Sequence, residues 1–409
     1  MDKVVIIGGG ASGIVAAIFA KRENNQVIVL ERNSSCLKKL LMTGNGKCNY
    51  LNERYSTSDY HSENIEIVDK IISDKNINLV KEFFDEIGIV PKIKNGYYYP
   101  FSGQAITIKE ALLMEAKVRG VEIVTDCLVS EIVKDAKGYI VETNTGEYKC
   151  ESLVLAMGGA TYPKTGSDGM GYDFLKKLGY DLIKPLPALV QLTSNFKYLK
   201  DWNGIRTDVE LQLFEDGKFV AKEEGEIQLT DYGISGICTF NLSHFVTRSL
   251  ELGKSNIIKI NFVPFIETLI TPWIYEYSRK NSHKRIGKLL EGFLNYKLVK
   301  VILKYNKIDS NRYYSELSKD EKFNLCKSLR AFPVEITGTK SYDSAQVCNG
   351  GLRLTDINFK TMELVNHKGL YVVGELLDIN GNCGGYNLTA CWISGILAGK
   401  SIGDISDKN

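Results

Sequence analysis

The opening thirty residues constrain the fold more than any other stretch. Val4-Val5-Ile6-Ile7 is a continuous β-branched run, the pattern of a strand buried on both faces. Gly8-Gly9-Gly10-Ala11-Ser12-Gly13 follows at once. Ile14 to Ala20 is then apolar or small on every side until Lys21, as a fully buried helix should be. A second buried run, Val27-Ile28-Val29-Leu30, ends in Glu31. Strand, glycine turn, helix, strand and acid make the βαβ dinucleotide fingerprint, and with it an α/β fold.

Each part has a physical reason. Gly8 permits the tight turn, Gly10 removes the side chain that would block backbone approach to a pyrophosphate, and Gly13 lets the helix pack close to the sheet. The helix begins at Ala11 and Ser12, where unpaired amides and a partial positive charge face the phosphates. Glu31 can accept hydrogen bonds from ribose hydroxyls, and its charge repels a 2′-phosphate. That favours FAD or NAD over NADP without separating the first two.

The other end of the chain helps separate them. Gly369-Leu370-Tyr371-Val372-Val373-Gly374-Glu375 is again a short apolar strand closed by glycine and an acid. A glycine- and asparagine-rich loop, Asp378 to Gly385, leads into a helix from about Asn387 to Gly399. Ala390, Gly395, Ala398 and Gly399 allow that helix to pack closely, and it carries no charge before Lys400. Its N-terminus directly follows Gly384-Gly385-Tyr386. A buried helix N-terminus behind a glycine loop suits a delocalised negative charge such as that of a reduced flavin ring.

Five stretches together resemble the HI0933-type, aminoacetone-oxidase-like family of FAD-dependent oxidoreductases, within the two-dinucleotide-fold flavoproteins. They are Gly8 to Gly13 with Glu31, Leu41 to Asn49, Ala156 to Ser167, Leu229 to Gly236, and Gly374 to Asn387. Two departures stand out. The family's Thr-Gly-Gly-Gly-Arg-Cys-Asn is Thr43-Gly44-Asn45-Gly46-Lys47-Cys48-Asn49, and the proline expected at position 237 is Ile237. Asn45 still tolerates a left-handed backbone, whereas Lys47 lacks the planar fork of Arg.

The resemblance implies FAD with its adenosine end on Gly8, Gly10, Ala11, Ser12, Gly13, Glu31 and Arg32, and with Val129 meeting the adenine through its backbone. It implies an isoalloxazine among Thr43, Gly44, Asn45, Gly46 and Asn49, the turn Ala156-Met157-Gly158, and the segment carrying Gly374, Glu375, Asp378, Gly384, Gly385, Tyr386, Asn387 and Leu388.

Between the two ends, Lys109 to Arg119 reads as a helix ended by Gly120. Val121 to Thr143 reads as a meander, with a strand over Cys127 to Val133. The chain changes character near Pro185-Leu186-Pro187. Val209, Leu211 and Leu213 then alternate with Glu210, Gln212 and Phe214 before a turn at Glu215-Asp216-Gly217. From Phe265 to Phe332 the pattern is helical, with Ser318-Lys319-Asp320-Glu321 as a capping box and Leu289, Phe293, Tyr296 and Leu298 supplying an apolar face. Pro333 breaks the run, and Val334 to Thr337 is strand-like. The expected architecture is a Rossmann-like FAD-binding domain, residues 1–188 and 345–409, with a mostly parallel sheet plus a β-meander. An insert, 189–344, interrupts it with a β-barrel-like unit (189–263 and 333–344) and a helical subdomain (264–332). The insert is expected to roof the flavin and exclude water, with Leu229 to Gly236 facing the pocket.

Composition closes off other classes. The 51 basic and 49 acidic residues nearly cancel, which argues against an electrostatic nucleic-acid or membrane binder. Nine cysteines without a Cys-x-x-Cys pair, and no export signal, read as reduced thiols in the cytoplasm. His61, His244, His283 and His367 are far apart, so no metal site is expected. Cys48 reads as a packing residue, since no second Cys completes a redox pair. Tyr97-Tyr98-Tyr99-Pro100 is an aromatic run read as packing or as the wall of a flat apolar pocket.

The function expected is an oxidoreductase acting on a small organic molecule by hydride transfer through the flavin, with NADH or NADPH as donor or oxygen as acceptor. No catalytic side chain is assigned. The other reading is a flavoprotein acting on tRNA, because Arg279 to Arg312 holds ten Lys or Arg against Glu291 and Asp309. A solvated helical face is the simpler account of that stretch.

Overall fold

The computed structural model describes residues 2–266 and 268–406. Its β-branched runs become one parallel sheet of five strands, in the order Leu370–Val372, Ser152–Leu155, Asp2–Ile7 (β1), Asn25–Leu30 (β2) and Glu122–Val124. Val4 to Ile7 and Val27 to Leu30 are buried throughout, as runs covered on both faces must be. The chain steps to one side from β1 to β2 and later returns on the other side with Ser152–Leu155. The carboxyl end of β1 is therefore the switch point at which such sheets open a ligand crevice.

The same geometry gathers distant sequence at one edge. Beyond the strands, the amide of Gly8 donates to Leu30 (2.8 Å), Glu31 to Val124 (2.8 Å), Ala156 to Ile7 (2.9 Å) and Val373 to Leu155 (3.1 Å). Parallel strands share one carboxyl edge, so the four motifs at Gly8, Glu31, Ala156 and Gly374 meet there.

The opening helix Ala11–Ala20 (α1) is buried along nearly its whole length. The C-terminal helix Tyr386–Ser406 crosses it through glycines. A Cβ on Gly395 would lie 2.5 Å from the Ser12 carbonyl oxygen, and one on Gly399 would lie 2.5 Å from that of Ala16. This helix continues past Gly399, because Ile402 and Gly403 are also buried. The helix expected over Lys109 to Arg119 starts earlier and spans Ala105–Val118, with Gly120 at φ 80° ending it.

Two three-stranded antiparallel sheets accompany the parallel one. Val129–Asp135, Gly138–Thr143 and Gly146–Cys150 form the meander, its first strand set two residues later than Cys127 to Val133. Leu51–Asn52, Tyr97–Pro100 and Pro91–Lys94 form the other, so the tyrosine run is its central strand.

The chain divides into two compact units, residues 1–186 with 346–409, and residues 187–345. The second unit holds a seven-stranded antiparallel sheet. Its order is Phe332–Ile336, Asn256–Asn261, Arg206–Glu215, Lys218–Leu229, Gly233–Ser235, Leu192–Thr193, Gly338–Thr339. Ile336 ends one edge and Gly338 begins the other, and the intervening Thr337 amide donates to Thr193 at 2.9 Å. The sheet is thus curled into a barrel-like closure. Asp216 (φ 45°) and Gly217 (φ 78°) make the hairpin turn, and Val209, Leu211 and Leu213 point inward.

Pro333 does not sit outside the sheet but within its edge strand, where a missing amide is harmless. Ser318 caps Lys319–Arg330, with its Oγ accepting from the Glu321 amide at 3.1 Å. The apolar face from Leu289 to Leu298 is interrupted, because Ile286–Leu290 and Tyr296–Tyr305 are separate helices. Tyr296 opens the second of them, 51% exposed.

Candidate active site

The first glycine turn shows why its three residues differ. Gly8 sits at φ 107°, and a Cβ there would be 2.3 Å from the Ala156 carbonyl oxygen; on Gly13 it would be 2.0 Å from that of Gly8. On Gly10 it would meet nothing within 4 Å. Gly8 and Gly13 are thus closed against protein, and Gly10 alone opens outward. The first amide of α1 to find a helical carbonyl is that of Ile14, on Gly10 at 3.0 Å. Those of Ala11, Ser12 and Gly13 are left at the helix end, as a phosphate cradle requires.

Glu31 is buried and held on both oxygens. Oε2 accepts from the Gly9 amide (2.8 Å), and Oε1 accepts from the amide and Nδ2 of Asn33 (2.7 Å each). The Cys127 amide donates to the Glu31 carbonyl at 2.9 Å, which brings the start of the Val129 strand beside β2. Arg32 is turned to Asp168, with which it forms an ion pair.

At the other end, Thr43 is extended while Gly44 (φ 56°), Asn45 (φ 55°) and Gly46 (φ 81°) are left-handed in succession, and Cys48 (φ 56°) joins them. Asn45 thus adopts the conformation its short polar side chain tolerates. The loop turns back so that the buried Oδ1 of Asn49 has no hydrogen-bond partner among the described residues. A Cβ on Gly385 would lie 2.9 Å from that atom. Gly384 and Gly385 are at φ 134° and 91°, and the first helical amide to bond behind them is that of Thr389, on Gly385 at 2.9 Å. The amides of Tyr386, Asn387 and Leu388 are left at the helix end.

Several polar side chains of this segment are already engaged by the protein. Asn387 brackets Gly381, accepting from its amide (2.9 Å) and donating to its carbonyl (2.7 Å). The Tyr386 hydroxyl donates to Arg54 (3.1 Å). Asp378 Oδ2 accepts from Ser62 Oγ (3.0 Å) and the Glu63 amide (2.7 Å). Gly374 donates its amide to Ser394 Oγ (3.0 Å). Gly158 (φ 73°) lies against Ser167, next to Met157. What the segment has left to offer is the amides of Tyr386, Asn387 and Leu388 at the helix end.

Glu375 is the hub of a cluster that sequence reasoning missed. Its Oε2 accepts from Lys39 Nζ (2.7 Å), and its Oε1 accepts from Thr161 Oγ1 (3.1 Å) and the Cys348 amide (3.0 Å). Lys39 also donates to Thr161 Oγ1 (2.7 Å). The cluster ties the stretch entering the Thr43 loop to the turn at Gly374. Nothing in the sequence marks Lys39 among so many lysines.

None of the nine cysteines is joined in a disulfide among the described residues. Burial pushes the thiols of Cys48, Cys348 and Cys391 up to about 12, so none is a thiolate at neutral pH. In the second unit, Thr230 and Gly233 close their loop on each other, with the Gly233 amide on Thr230 Oγ1 at 3.1 Å and that hydroxyl on the Gly233 carbonyl at 3.0 Å. Among the described residues, no cluster could hold a metal ion, and no helix is long and apolar enough to cross a membrane.

An open Gly10, two helix ends with unpaired amides and an orphaned buried acceptor at Asn49 fit a dinucleotide that carries a ring with its own N–H groups. Fold and site define the class of FAD-dependent oxidoreductases. A family model described as the HI0933-like protein Rossmann domain matches residues 2–401, and the chain belongs to that family. A 3-dehydro-bile acid delta(4,6)-reductase of Clostridium scindens is 35% identical over 374 residues, 91% of each chain. A ribosomal RNA dihydrouridine synthase of Haemophilus influenzae is 27% identical over 388 residues, 91% of this chain and 92% of that protein. The 3-ketosteroid-delta4-(5alpha)-dehydrogenase from Rhodococcus jostii RHA1 shares the fold at a TM-score of 0.50, with 15% identity over 98% of this chain and 97% of that one.

Proposed function

We propose that the protein reduces a carbon–carbon double bond conjugated to a carbonyl in a flat, largely apolar small molecule, with NADH or NADPH as donor. The observation that carries this reading is the 35% identity to a bile acid reductase across nine-tenths of both chains, joined to a site built from backbone amides rather than acid–base side chains. Bound FAD supplies hydride transfer at its reactive nitrogen.

The chain's own residues would bind and orient. The amides of Ala11, Ser12 and Gly13 would hold the diphosphate, and Glu31 would take the adenosine ribose, near Val129. Asn49 would accept from a ring N–H. The amides at the start of the C-terminal helix, Tyr386 to Leu388, would stabilise negative charge on the ring system.

A second reading has its own support. The Haemophilus relative is a ribosomal RNA dihydrouridine synthase, and the double bond of uracil is likewise conjugated to a carbonyl. Arg279 to Arg312 would then supply the phosphate contacts. Four of its ten cations already have carboxylate partners: Arg279 with Glu276, Lys288 with Glu291, Lys304 with Asp201, and Arg312 with Glu321. That pairing weakens the stretch as an RNA surface and favours the small molecule.

Anaerobic mixing of the yellow protein with NADH and with NADPH tests the proposal. Rapid bleaching by one of them, and return of colour with a 4-en-3-one steroid, is the expected result. No bleaching, with peroxide formed from an amine in air, makes the protein an oxidase instead. Steep salt-dependent binding of ribosomal RNA, abolished by Lys280→Glu with Lys284→Glu, would move the assignment to the second reading.

A further inference from the structure

The strand Tyr97–Pro100 sends its tyrosines to two different places. Tyr98 points into the core, edge-on to Tyr50 at 6.1 Å, and its hydroxyl donates to Glu53 Oε2 at 2.6 Å. Side chains alternate along a strand, so Tyr97 and Tyr99 share the opposite face. There the Tyr97 ring lies against Gly384, where a Cβ would be 2.7 Å from its Cε1. The Tyr99 ring faces Gly44, where a Cβ would be 3.7 Å from its Cε1. These glycines belong to the two loops that meet at the orphaned acceptor of Asn49. Both rings are half-buried. Neither hydroxyl has a hydrogen-bond partner among the described residues, and neither oxygen is a buried unsatisfied atom, so both open to solvent, where a bound molecule can accept from them. Burial, with Tyr97 beside it, pushes the Tyr99 phenol up, so it stays a donor at neutral pH.

We propose that Tyr97 and Tyr99 are the carbonyl-binding residues of the substrate pocket, their paired phenol hydroxyls donating to the oxygen conjugated with the reducible bond. The proposal rests on the reading given under Proposed function and adds the residues that recognise the substrate. Two donors on one oxygen fix which end of a flat molecule enters, and they withdraw electron density from the double bond as hydride arrives. The apolar ring faces suit the rest of such a substrate.

The test uses the FAD-loaded protein and its Tyr97→Phe, Tyr99→Phe and doubly substituted forms. 4-Androstene-3,17-dione is titrated in while the visible flavin spectrum is followed, with androstane, which has no carbonyl, as the comparison ligand. Phenylalanine keeps each ring in place, so FAD content and melting temperature should not change. Each single substitution should weaken dione binding about five- to tenfold, the loss of one neutral hydrogen bond, and the pair more, with androstane unaffected. Variants that bind the dione within about twofold of the unsubstituted protein overturn the assignment of the tyrosines and leave the proposed function standing. An unsubstituted protein that does not bind the dione at all overturns both.

Discussion

Gly10 and Gly13 are the same residue type three positions apart, and the structure gives them opposite burdens. A side chain on Gly10 meets no protein atom, while one on Gly13 runs into the Gly8 carbonyl at 2.0 Å. Gly10→Val should therefore leave the melting temperature of the FAD-free protein nearly unchanged. It should weaken FAD by about 1–3 kcal/mol of steric cost, roughly a five- to 150-fold loss measurable by flavin fluorescence titration. Gly13→Ala should lower the melting temperature of the FAD-free protein itself. The thiols allow a second check at this scale. Because burial raises Cys48, Cys348 and Cys391 to about 12, iodoacetamide at pH 8 should leave them unmodified in the folded protein and label them in urea. Cys48→Ser should not slow flavin reduction, and a large slowing would make that thiol a redox group.

Among the elements, the crossing of α1 with the C-terminal helix is the contact on which the cofactor end depends, since Ser12 of the glycine turn lies under both Gly374 and Gly395. Gly395→Val should cost about 1–3 kcal/mol by overpacking. That is visible as a lower urea midpoint, with FAD affinity falling alongside it because the turn is displaced. The short strand Tyr60–His61 pairs with Asn380–Gly381 and carries a pH response. Burial holds the imidazoles of His61 and His367 below the ordinary 6.5, so the unfolded chain takes up protons first as the pH falls. Their contribution to stability is present above about pH 6.5 and is lost below it. Urea midpoints between about pH 5 and 7 should decline toward acid. His61→Gln, which can keep the bond to Asn382, should flatten part of that decline.

For the molecule as a whole, FAD at a hundred times its dissociation constant should stabilise the fold by about 2.7 kcal/mol, read as a rise in melting temperature that Gly10→Val should cut by about half or more at the same FAD concentration. The sheet and the glycine turn were legible because burial on both faces forces continuous apolar runs, and a tight turn forces glycine. Element limits were less legible, as at Ala105–Val118 and Val129–Asp135, because ends are decided by capping and pairing partners far away in the chain. What the sequence determined by itself was local: β1, its turn, α1, β2 and the acid that closes them, all set by neighbours within thirty residues. The tertiary structure alone decided which of the many lysines reaches Glu375, and that Asp378 and Arg32 are occupied by protein partners. Such choices depend on contacts between residues more than a hundred positions apart, and no local pattern encodes them.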